Sequence, residues 1–212
     1  MQIVSVNVGQ PREVAWQGKT VRTGIFKSPV AGRVWARALN LDGDGQADLK
    51  AHGGRDMAVY LYPHEHYAYW AEARPGDELP WGAFGENLTV TGLDEAEVCL
   101  GDRLRLGEAE FQVTQPRVPC FKLGIRFGDP GMVKAFAHSE RTGFYCRVLK
   151  EGPFSAGEGI ERLARDPHGV TVRELFAYYV SPEKDPELAR RALAVEALPE
   201  TWKGHLRERL GR

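Results

Sequence analysis

Asp102-Arg103-Leu104-Arg105-Leu106-Gly107-Glu108-Ala109-Glu110-Phe111-Gln112-Val113-Thr114-Gln115-Pro116-Arg117-Val118-Pro119-Cys120-Phe121-Lys122 reads as two short strands, 102–106 and 109–115, joined by a tight turn at Gly107-Glu108. The second strand runs directly into a polar loop, a common way to hold a reactive group at the mouth of a rigid sheet. That loop places one thiol three residues after Arg117 and two before Lys122, with Pro116 and Pro119 stiffening the approach. A thiolate is stabilised beside fixed cations, and a thiol of lowered pKa is both a nucleophile and a soft metal ligand. Cys120 is therefore the candidate catalytic and metal-ligating residue, although by itself it also reads as a small buried hydrophobe.

Working outward, short strands follow one another. Ile3 to Val8 alternates and closes on Gly9, and Val14 to Trp16 and Val21 to Phe26 flank a turn at Gln17-Gly18-Lys19. Further strands are expected at Arg33 to Leu39, Ala58 to Tyr62 with Pro63 as its stop, Asn87 to Thr91, and Gly143 to Lys150. Their steady spacing predicts a mainly β fold, a barrel or sandwich rather than βαβ units. Helices are expected at His64 to Ala73, with Tyr67, Trp70 and Ala71 on one face, and at Gly131 to His138. Composition shifts near Asp166-Pro167-His168-Gly169, dividing a β domain over 1–166 from a three-helix domain over 167–212. The second domain opens on a capping box, Thr171 with Glu174, which starts a helix through Val180. Helices over 185–197 and 200–210 follow.

Composition narrows the function classes. The hydrophobic fraction of 42% and charged fraction of 27% are those of an ordinary globular chain. A formal net charge of -1 argues against a partner that is a nucleic-acid polymer. Cys99, Cys120 and Cys146 form no Cys-x-x-Cys pair, so neither a disulfide framework nor a structural zinc site is indicated, and a reducing compartment is expected. Cys99 and Cys146 read as packed structural thiols. With no leader pattern at Met1 to Gly9 and no apolar window of membrane length, a soluble, cytoplasmic protein is expected, without membrane partners.

Three polar stretches could serve a site. Asp42, Asp44 and Gln46 have the spacing of a calcium loop, but Ala47 and Gly53 stand where that loop needs its glycine and its bidentate glutamate, so calcium is rejected. His52-Gly53-Gly54-Arg55 lets a backbone approach a ligand and supplies donors for an anion, or is simply a turn. Lys27-Ser28-Pro29-Val30 offers an ammonium and a hydroxyl suited to phosphate. Phe84-Gly85-Glu86-Asn87-Leu88 places an acid and an amide at a strand entrance, where they orient a polar ligand or form a turn. Ser28 has no visible acid–base partner, so serine hydrolysis is unsupported.

Taken in order, Gly43-Asp44-Gly45-Gln46-Ala47-Asp48, His52-Gly53-Gly54, Phe84-Gly85-Glu86-Asn87-Leu88, Gly101-Asp102 and Gln115-Pro116-Arg117-x-Pro119-Cys120 resemble the MOSC domain family, and within it the bacterial YiiM-like group. The resemblance implies a β-barrel-like fold with inserted helices and a small C-terminal three-helix unit. It also implies a molybdenum cofactor, a pterin-bound molybdenum whose metal is ligated by Cys120. Lys27, Ser28, His52, Arg55, Asn87 and Arg117 fall on motif positions expected to line that cofactor. Family members include reducers of N-hydroxylated small molecules such as amidoximes and nucleobases, an activity that implies a separate electron-donor reductase. The alternative is a carrier in which Cys120 holds a persulfide or the cofactor without turnover. Pyridoxal phosphate belongs to the desulfurase domain fused to some family members, and this chain has no room for that domain. Substrate, donor and oligomeric state are not legible in the sequence.

Overall fold

The computed structural model describes residues 1–47, 53–183 and 185–211. Its strands are β1 (Gln2–Val8), β2 (Arg12–Trp16), β3 (Lys19–Thr23), β4 (Ser28–Pro29), β5 (Val34–Ala36), β6 (Val59–Pro63), β7 (Leu88–Thr91), β8 (Arg103–Leu106), β9 (Ala109–Pro116), β10 (Phe144–Lys150), β11 (Gly152–Phe154) and β12 (Ile160–Ala164). The helices are α1 (Glu65–Ala73), α2 (Phe121–Phe127), α3 (Met132–Ser139), α4 (Val172–Val180), α5 (Pro186–Ala194) and α6 (Glu200–Leu210).

One mixed sheet dominates, in the order β12-β8-β9-β10-β6-β7-β1-β4, with β2-β3 and β5-β11 as two-stranded additions. The β2-β3 turn has Gln17 at φ 48° and Gly18 at φ 76°, the pair of positive values that a two-residue hairpin matching strand twist requires. A closed barrel is not what this ladder draws. Its two edges are β12 and β4, and β1 meets the start of β12 only through the isolated bridge Gln2–Gly159 and bonds such as Ile160 N–H to Met1 O at 3.1 Å. The expectation of no βαβ unit also needs correction, because β6 and β7 are parallel neighbours connected through α1. Parallel neighbours cannot be joined by a tight turn, so a crossover helix takes its place.

Every residue of β6 is buried, which period-two geometry converts into two cores. Val59 and Leu61 join the larger aliphatic core with Phe111, Val113, Phe144 and Cys146. Tyr60 and Tyr62 face an aromatic core with Tyr67, Trp70, Phe84 and Phe136. On α1 the buried residues are His66, Tyr67 and Trp70, while Ala71, expected on the same face, is exposed. The capping box forms as read. Glu174 N–H donates to the Thr171 hydroxyl at 3.1 Å, and Thr171 N–H donates to the Glu174 carboxylate at 2.7 Å. Val172, Leu175, Leu188, Trp202 and Leu206 from α4 to α6 belong to the same aliphatic core as the sheet.

Candidate functional site

Where the end of β3, the 41–47 loop, β6 and the start of α2 meet, an open cavity of about 700 Å³ including its mouth is lined by Lys27, Asp44, Arg117, Cys120, Lys122 and Tyr145, among others. The segments that form it touch through glycines. A Cβ on Gly24 would lie 2.7 Å from the Gly45 carbonyl oxygen, and Gly85 combines a φ of 83° with a Cβ position 2.7 Å from Ile25. Larger residues there would push the walls apart.

Asp44 organises one wall. Its carboxylate accepts from Lys27 Nζ at 2.5 Å, from Gly9 N–H at 2.9 Å and from Asn87 Nδ2 at 2.9 Å. The Lys27 and Asp44 side chains are only 7% and 4% exposed, so this is a desolvated pair held by a direct hydrogen bond. Asn87 is fully committed, since its carbonyl also accepts from Tyr60 N–H at 3.0 Å. It positions Asp44. Glu86 beside it is buried and accepts from Gly82 N–H, Phe84 N–H and the Thr89 and Tyr67 hydroxyls. It holds its own loop, and burial pushes its carboxyl upward against those donors.

Arg117, directly after β9, also lines the cavity. It is buried, lies 5.0 Å from the Tyr60 ring centroid and 5.1 Å from that of Phe136, and donates to the Tyr60 hydroxyl at 3.4 Å. Among the described residues no carboxylate pairs with it. Burial acts to strip the guanidinium of its proton, but Tyr60, Tyr145 and Cys120 outweigh burial and hold its pKa above the ordinary arginine range. Burial raises the Tyr60 and Tyr145 hydroxyls, and that of Tyr60 donates to the Thr142 carbonyl at 2.6 Å. Cys120 is the extended residue preceding α2, half-buried, and lines the same cavity as this buried cation. Cys99 and Cys146 are buried elsewhere, their thiols pushed up by burial, as expected of packed cysteines. Among the described residues no three His, Cys, Asp or Glu side chains cluster so as to hold a metal ion.

Residues 48–161 match the MOSC domain, and residues 170–211 match the YiiM-like, 3-alpha helix domain. The chain belongs to the MOSC domain family. It is 43% identical over 212 residues to YflK of Bacillus subtilis (strain 168), covering 99% of this chain and 95% of that one. The crystal structure of YiiM from Geobacillus stearothermophilus superposes with a TM-score of 0.82 at 34% identity, covering 99% of this chain and 98% of that one. A protein of Gibberella moniliformis named as a reductase is 37% identical over 77% of this chain, which spans 29% of that protein.

The MOSC cavity gathers four of the residues singled out from sequence, namely Lys27, Asn87, Arg117 and Cys120. Ser28 does not line it. It is exposed on β4 and lines a second groove, which shares Lys27 with the cavity. Arg55 does not line it either, being exposed in the 3₁₀ turn Arg55–Met57. Gly54, at φ 91°, donates its N–H to the Gln46 side chain at 2.8 Å, so this glycine serves a turn. His52 lies outside the described residues. Sequence reading gave no site role to Asp44, Tyr60 or Tyr145, and took Lys122 only as a cation beside the thiol. Asp44 stood inside the run dismissed for calcium, and its adjacency to Lys27 joins segments 17 residues apart. The two tyrosines were legible only as members of the strands read at Ala58 to Tyr62 and Gly143 to Lys150.

Proposed function

We propose that this MOSC protein binds the molybdenum cofactor in the cavity through Cys120 and reduces N-hydroxylated small molecules, of the amidoxime or hydroxylaminopurine kind. The observation that carries this reading is the pairing of one half-buried thiol with a buried arginine that no described carboxylate neutralises, in a single open cavity. A desolvated cation without a partner is costly, and an anionic ligand removes that cost.

The residues fit such a cofactor. Cys120 supplies one soft donor, and since no further metal-ligating cluster surrounds it among the described residues, a metal held there would bring its remaining ligands with it, as pterin-bound molybdenum does. Arg117 and Lys122, with Lys27 held by Asp44, offer cations to phosphate and pterin oxygens. Bound, the molybdenum would supply a two-electron centre able to accept the oxygen of an N–O bond. The protonated Tyr60 and Tyr145 line the cavity and keep Arg117 in place. A separate donor returns the electrons.

Elemental and pterin analysis of protein purified from a cofactor-competent host tests this, with Cys120→Ala beside it. Near-stoichiometric molybdenum in the parent, lost in a variant that melts within a few degrees of it, is expected. Full molybdenum occupancy in Cys120→Ala would overturn the ligand assignment. Pterin and metal missing from both would leave the thiol as a sulfur carrier.

A further inference from the structure

The second groove, about 950 Å³ with its mouth, shares Lys27 with the cavity. Arg12, Phe26, Ser28, Trp81 and Arg126 face it. No Asp or Glu is found among the described residues that line it. The Arg12 guanidinium sits 3.8 Å from the Phe26 ring centroid, and that of Arg126 sits 5.8 Å from the same ring. Arg126 Nε is buried without a hydrogen-bond partner among the described residues. Other arginines are paired, as Arg37 with Asp42, Arg74 with Asp77 and Asp129, and Arg147 with Asp56. Arg12 and Arg126 have no carboxylate within ion-pair distance among the described residues. Lys27 is neutralised by Asp44 from behind, so the groove presents two uncompensated guanidiniums on a molecule of formal net charge -1. Trp81, half-buried and packed on His64 and Tyr67 with centroids 5.0 and 4.6 Å away, adds a flat, firm apolar surface.

We infer that this groove is the docking surface for an acidic electron-donor protein carrying a reduced flavin or iron–sulfur centre. The inference rests on the reductase reading above. Reduction of an N-hydroxyl group consumes two electrons and two protons and releases the amine and water, so each turnover oxidises the donor by two electrons. The groove is well placed to receive them. Lys27 lines both the groove and the cavity, and α2 runs from Cys120 to Arg126, roughly 9 Å along its axis at the usual helical rise. Redox encounters use small interfaces steered by charge, and a positive concavity with an aromatic floor fits an acidic partner. A small anion would need only the two guanidiniums. It leaves the groove's breadth and Trp81 unused.

Flavodoxin and a plant-type ferredoxin, both acidic electron carriers, serve as probes against the full cofactor-loaded protein and its Arg12→Glu, Arg126→Glu and doubly substituted forms. Arg126→Gln is included in case charge reversal on α2 impairs folding. Binding of the oxidised carriers, read by interferometry without turnover, is expected at low salt, is expected to weaken with added salt, and is expected to fall about tenfold or more on double charge reversal. Carrier-driven consumption of an N-hydroxylated substrate should fall in step, while consumption driven by reduced methyl viologen stays unchanged. Failure of both carriers to bind, or binding indifferent to charge reversal, would sink the docking surface. Displacement of the carriers by low concentrations of inorganic phosphate or AMP would make the groove a small-anion site and overturn the proposal. If carrier binding behaves as expected but no substrate is consumed even with viologen, the reductase reading fails and the docking surface stands.

Discussion

Asp44 accepts from three segments that are distant in sequence: Gly9 after β1, Lys27 before β4 and Asn87 before β7. Removing it leaves a buried ammonium, the part-buried Gly9 N–H and the buried Asn87 amide without that acceptor. Asp44→Ala is therefore expected to cost about 3–5 kcal/mol, the range for breaking one side of a buried ion pair, measured by urea unfolding. A loss below about 1 kcal/mol would show that the pair is hydrated and contributes little. Arg117 is the contrasting case. The sequence showed a cation near a thiol, but only the fold shows that cation to be buried against Tyr60 and Phe136 and to have no described carboxylate partner. Residue chemistry was legible along the chain, whereas desolvation depends on neighbours that the chain order does not reveal.

The elements divide by how local their causes are. The Thr171 capping box and the Gln17-Gly18 turn are satisfied within a few residues, and both form as read. Helix α2 was missed because its seven residues, Phe121–Phe127, include Gly124 and follow two prolines, so its stability comes from packing Leu123 and Ile125 inward. Strands β11 and β12 were missed for a similar reason: β11 pairs with β5, far away in sequence. Thr171→Ala should cost about 1 kcal/mol. Burial works to raise Glu174, but the Thr171 N–H and hydroxyl and the Arg191 guanidinium outweigh it and hold the carboxyl below its ordinary value of 4.5. A depressed carboxyl binds protons more weakly in the folded state, so its contribution is present above the unfolded value and is lost as the pH falls through the lowered one. Thermal melts of Glu174→Gln and the parent should differ at neutral pH and converge on acidification below that range. A difference that persists unchanged at low pH would show that the carboxylate charge is not what matters.

At the scale of the molecule, the C-terminal helices and the sheet share one apolar core, with Trp202 buried at 7% exposure and Leu206 at 0%. Trp202→Ala is expected to cost about 3–5 kcal/mol and to lower the melting temperature of the whole chain by roughly 10 °C, in one calorimetric transition. Two separated transitions, with only the smaller one displaced, would show that the helices melt apart from the sheet. Among the described residues no helix is long and apolar enough to cross a membrane. The strand-rich alternation, the capped helices, the packed Cys99 and Cys146 and the loop bearing Cys120 were determined by the sequence alone, because each depends on side-chain period, turn chemistry or a few adjacent residues. The parallel β6–β7 pair, the open ladder order, the meeting of Lys27, Asp44 and Asn87, and the cationic groove behind them were decided only by tertiary structure. Those features join residues tens of positions apart, and their energies come from burial and partner geometry that exist only once the segments have packed.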